Sequence, residues 1–183
     1  MNTRVLGSIL IFSSLIIALN SFRRNDLDTI GAVALLLWSI GGVCGIFGLM
    51  RLNALGSNAV ARAIGFLPML GCIAIILGEG LRLVGFSERG SSLNNTLATI
   101  GWIGILAGML VVGILTIAAK TWHGWRRFVP LSTIVIIPIA LGIGSAVGSD
   151  ALGGAQAFLP WALLGYIIAT AESSAVAQQG VPV

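Results

Sequence analysis

From Ile30 to Met50 this chain runs for 21 residues without a charge, and it repeats the pattern from Leu97 to Ala119, Phe128 to Gly148 and Ala151 to Ala171. Crossing about 30 Å of hydrocarbon takes about 20 apolar residues at the helical rise. Backbone polar groups in lipid must be satisfied within the segment itself, which leaves helices as the form such runs can take. Four runs of this length predict four spanning helices. Two further segments complete the set. Ala63 to Leu83 is long enough but carries Glu79 and Arg82, and Val5 to Phe22 is short and follows Arg4.

The first segment has an alternative reading, because Arg4 followed by an apolar stretch resembles the n- and h-regions of a secretory signal. Ala18-Leu19-Asn20 is a poor small-x-small cleavage site, so the segment is expected to be retained as the first span. The expectation is therefore an all-α integral membrane protein, one bundle of six transmembrane helices over residues 1–172, followed by a flexible polar tail, 173–183. Composition agrees. Charged residues make up 9% of the chain, against about 25% in soluble domains, whose surfaces must stay wet.

Loop charge gives an orientation. With six spans, Arg4, Arg51, Arg62, Lys120, Arg126 and Arg127 fall on one side, and Arg23, Arg24, Arg82 and Arg89 on the other. Basic loops stay cytoplasmic, so both termini are expected in the cytoplasm, across a bacterial inner membrane. The net charge of +4 is spread over short loops and forms no basic arm, which argues against nucleic acid as a partner.

The chain has 25 glycines, several at small-xxx-small spacing: Gly41 and Gly45, Gly104 and Gly108, Gly144 and Gly148. Lipid supplies no hydrophobic drive between helices, so close backbone approach must hold a bundle together. These pairs are expected to pack helices internally or to form a partner face, foremost on the second helix. A faint parallel repeat is also present. Thr29-Ile30-Gly31 matches Thr99-Ile100-Gly101, Phe66-Leu67-Pro68 matches Phe128-Val129-Pro130, and Leu-Gly-x-Gly recurs at Leu77 and Leu141. It would equate helices two and three with four and five.

An ionisable residue within a span is a candidate for ligand or ion contact. Glu79 and Arg82 are such residues, close enough on one helix to pair. Pro68, Pro138 and Pro160 should kink their helices, and Trp38, Trp102, Trp161 and Tyr166 either line a resulting pocket or pack against core and lipid. In the fourth loop, Trp122, Trp125, Arg126 and Arg127 suit an interfacial anchor, with an anionic headgroup as a further contact.

Absences narrow the chemistry. The single histidine, His123, leaves a transmembrane haem without its usual ligand pair, and no three-ligand zinc set exists. Cys44 and Cys72 form no C-x-x-C pair, Ser145 has no intramembrane histidine, and the second and fourth loops contain no carboxylate. No catalytic machinery, cofactor or metal is expected. In length and span count the chain resembles the substrate-capturing subunits of energy-coupling-factor transporters. The first segment lacks their alanine-spaced docking motif, Ser14 and Ala18 being nearest, so no residue is carried across. Two functions remain, and short loops with few intramembrane polar groups favour the first. An accessory or assembly subunit, in contact with other membrane subunits or its own copies, requires a glycine-rich outward face. A binding or transport protein for an apolar or weakly polar solute requires a cavity near Glu79, Trp102 and Trp161.

Overall fold

In the computed structural model of the chain, the described residues are 2–23, 29–56, 58–88 and 90–179, with side chains as far as Ala171. Six helices form: α1 (Thr3–Asn20), α2 (Thr29–Arg51), α3 (Ala59–Leu83), α4 (Ser92–Ala119), α5 (Val129–Ala146) and α6 (Asp150–Gln179), with a short 3-10 turn at Gly124–Phe128 before α5. All six are long and apolar enough to cross a membrane, and no strand occurs among the described residues.

Several helices start earlier than the apolar runs suggest, because capping residues rather than hydropathy set their first turns. Asn58 Oδ1 accepts from the Val60 N–H at 2.9 Å, and Ser91 Oγ accepts from the Asn94 N–H at 3.3 Å. Both satisfy amides that a helix start leaves without partners. At the other end, α5 stops where Gly148 adopts φ +67, a left-handed turn that glycine enters without strain. The run read as continuing to Gly148 therefore ends at Ala146. α6 continues through the first part of the expected tail to Gln179, and residues 180–183 lie outside the described residues, as do Arg24 and Arg89 of the orientation argument.

The helices form a ring in chain order, each against its sequence neighbours, and α6 closes the ring on α1. The α1–α6 and α3–α4 seams are the most extensive, and α4–α5 is the thinnest between neighbours. Thr121 Oγ1 donates to the Ala54 carbonyl at 2.9 Å, tying the second and fourth loops together at one end of the bundle.

Glycine makes the seams close. A Cβ on Gly71 would lie 2.7 Å from the Gly101 oxygen, and one on Gly108 would lie 2.6 Å from the Pro68 nitrogen. On the other side, Gly165 packs against Gly7, where a Cβ would fall 2.7 Å from the Gly7 oxygen. Large apolar side chains face outward all around, among them Phe12, Leu70, Ile103 and Ile139, an exterior suited to lipid and not to water.

The proposed repeat meets an offset. The aromatic-x-Pro step falls deep inside α3, at Pro68, but at the first turn of α5, at Pro130. The two hairpins also pack unequally, α2 against α3 being more extensive than α4 against α5.

Cys72 is fully buried and Cys44 partly so. N-ethylmaleimide added to the detergent-solubilised protein should therefore modify Cys44 first and reach Cys72 only on denaturation. Equal labelling rates by intact-mass analysis would contradict the packing of α3 against α2.

Candidate functional site

The middle of the ring is filled by aromatic rings. Trp38, from α2, is 1% exposed and sits among three others. Trp102 of α4 stacks on it at 5.6 Å between centroids, while Phe158 and Trp161 of α6 meet it edge-on, each at 5.2 Å. Offset-stacked and edge-to-face contacts are the arrangements the ring quadrupole favours. Small residues make the room. Gly41 and Gly45 let α2 close on Ser13 and Leu10 of α1, and Gly42 sits against Cys72 of α3, so the helices draw together around the indole.

Beside this hub, between α4, α5 and α6, lies a cavity of about 280 Å³. Its inner wall is the aromatic group itself, its sides are Ile105 and Leu106 of α4 with Ile137 and Leu141 of α5, and its base is Gly154 and Ala157 of α6. The space coincides with the thin α4–α5 seam. Pro138 and Pro160 lie within the flanking helices, and each removes a backbone N–H from its helix. The lining carries no charged residue. Its one buried polar group without a partner is the Trp38 Nε1–H; buried indole N–H groups normally find an acceptor.

Glu79 is elsewhere. It is 8% exposed and faces a separate space of about 10 Å³ shared with Asn94 and Trp102, roughly the volume that holds one water. Arg82 Nη1 lies 3.3 Å from Glu79 Oε2 on the same helix. This is an ion pair, yet Oε2 makes no aligned hydrogen bond. The expected single cavity near Glu79, Trp102 and Trp161 is thus two chambers, with Trp102 lining both. Glu79 does not line the larger one.

The other candidate residues separate by environment. Gly41, Gly45, Gly104, Gly108 and Gly144 all lie in seams within the chain, against α1, α3 or α6, so an outward partner face on α2 is replaced by its packing on α1. Gly148 packs nothing within 4 Å and serves the α5–α6 turn. In the fourth loop, Trp125 is exposed at 56%, whereas Trp122 is half-buried and packs against the core. Arg127 lies 4.8 Å over the Phe128 ring. Tyr166 faces outward and takes no part in the cavity.

Two participants are not singled out by sequence reasoning. Phe158 stands three residues before Trp161, on the same helical face, beside the small Gly154 and Ala157, a local pattern that would have marked it. Asn94 sits in a polar first turn that reads as loop. No family model, characterised protein or solved structure matches this chain.

Proposed function

We propose that this chain is a multi-pass membrane protein that binds a compact, flat, apolar molecule drawn from the bilayer. The observation that carries the reading is the aromatic-walled cavity between α4, α5 and α6. Size and chemistry both support it. An apolar cavity of about 150 Å³ is known to hold benzene, so about 280 Å³ accommodates a fused two-ring molecule. Ligand sites are mostly apolar with a few placed polar groups, and the unpartnered Trp38 N–H suits one carbonyl acceptor. Lateral entry is favoured by the thin α4–α5 seam and by Leu106 and Leu141, which are 37% and 52% exposed and reach from the cavity to the lipid face. The accessory-subunit reading, which the sequence favours, loses its main support, since the glycines meant for an outward face are occupied within the chain.

The test uses protein in phosphatidylcholine nanodiscs titrated with 1-acetylnaphthalene, a two-ring ketone, with empty nanodiscs as the partition control. Three of the five tryptophans belong to the hub, so saturable quenching of tryptophan emission is expected. Ala157→Phe, which fills the cavity base, should weaken that quenching by about tenfold, the equivalent of one well-made contact surface of about 1.4 kcal/mol. Quenching that is unsaturable, or unchanged by Ala157→Phe, would sink the proposal.

A further inference from the structure

We infer a second, independent binding site: a groove on the outer face of α5 and α6 that seats one acyl chain of an anionic phospholipid, with its headgroup at Arg126 and Arg127. The groove has a volume of about 500 Å³ and runs from Ser132 to Ile143 along α5, with Leu163 and Gln156 marking its two ends on α6. The eleven steps from Ser132 to Ile143 cover about 16 Å of helix, close to the depth of one leaflet, half of about 30 Å. A partner helix would need the full thickness. The length therefore matches a lipid tail from one side.

The charged end is built from the same stripe. Phe128, Ser132 and Ile136 succeed one another at helical spacing, which puts Phe128 one turn before the Ser132 end of the groove, and the Arg127 guanidinium lies 4.8 Å above its ring. Arg127 Nε is buried and has no hydrogen-bond partner, and Arg126 adjoins it. A phosphate at this level would meet two guanidiniums, which bind phosphate oxygens through paired N–H donors. The design recurs at the same end of the bundle. A groove of about 450 Å³ between α1 and α2 begins at Arg4 and runs from Val5 to Ile16, again eleven steps of helix. Basic side chains at the head of interhelical grooves are the usual receptors for acidic lipid headgroups.

The test is native mass spectrometry of protein released from nanodiscs of equimolar phosphatidylglycerol and phosphatidylcholine. Retained lipid should be enriched in phosphatidylglycerol by about thirtyfold, from two cations near the headgroup plane. Arg126→Gln with Arg127→Gln should abolish the enrichment at this groove, leaving one bound phosphatidylglycerol fewer. Ile139→Trp, at a position 54% exposed, should fill the groove and reduce retention of both lipids while the melting temperature holds. Equal retention of the two lipids, or enrichment unaffected by the double substitution, overturns the inference. So does a dimer that disappears with Ile139→Trp, which would make a second copy the occupant. None of these readouts depends on the aromatic cavity.

Discussion

Gly71→Ala should be among the most damaging single-methyl additions in this protein. The added Cβ would stand 2.7 Å from both the Gly101 oxygen and the Ile105 nitrogen, and 3.0 Å from the Gly104 carbonyl carbon. All three are backbone atoms of α4, so no side-chain rotamer can relieve the overlap. The helices must separate along one of the two most extensive seams of the ring. Between helices this apolar that separation forfeits the dispersion contacts and close approach that hold them together. Overpacking a tight interior costs about 1–3 kcal/mol, and the larger end applies where backbone meets backbone. The matched control is Gly142→Ala on α5, whose Cβ meets nothing within 4 Å. There the change removes a poor helix former worth about 1 kcal/mol, so stability should hold or rise. Melting in mild detergent, followed by size-exclusion fluorescence, separates the two. A Gly71→Ala protein that melts with the parent would mean that α3 and α4 are not packed as described.

This contrast also shows what hydropathy can and cannot convey. Four charge-free runs and two further apolar segments mark the six helices because lipid allows little else, and they were legible directly. Which glycine closes a seam and which merely turns the chain was not. Gly144 and Gly148 have identical small-xxx-small spacing, yet one meets Gly153 of α6 at backbone distance and the other occupies a left-handed turn. The periodicity that would assign faces is missing, because a helix apolar all round carries no amphipathic stripe. α2 is such a helix. Nothing in its composition tells that Trp38 points to the centre while Leu37 and Ile40 point outward.

The candidate site was partly legible for a related reason. Glu79 drew notice because a carboxylate is costly in hydrocarbon, and it is indeed buried. Its neighbour Asn94 escaped because a polar residue beside Ser91 and Asn95 reads as loop, although the Ser91 cap carries α4 back to include it. Trp102 and Trp161 could be named as pocket candidates from residue type alone. Their convergence on Trp38 comes from three helices that are not chain neighbours, and spacing along one sequence does not encode that meeting.

Trp38 offers the second large effect. Trp38→Ala should destabilise the bundle by about 3–5 kcal/mol, the range for truncating a buried tryptophan, because it empties the point where α2, α4 and α6 meet. Each of its aromatic contacts with Trp102, Phe158 and Trp161 also forfeits about 0.5–1.5 kcal/mol beyond area. Trp38→Phe should behave quite differently. It keeps a ring among the three partners and deletes an N–H that has no acceptor, a burial that itself costs about 1–3 kcal/mol. The volume lost and the polar group removed therefore oppose each other, and the phenylalanine protein should melt much nearer to the parent than the alanine protein. Ligand binding should separate the lost N–H from the lost volume. If the cavity's occupant accepts from Nε1, Trp38→Phe leaves that acceptor unsatisfied and weakens binding of 1-acetylnaphthalene more than binding of naphthalene, which has no acceptor. Melting curves and the two titrations on the same variant decide the matter. An equal loss for both ligands would make the indole a packing element alone, and a Trp38→Phe protein as unstable as Trp38→Ala would mean that Nε1 already has a partner.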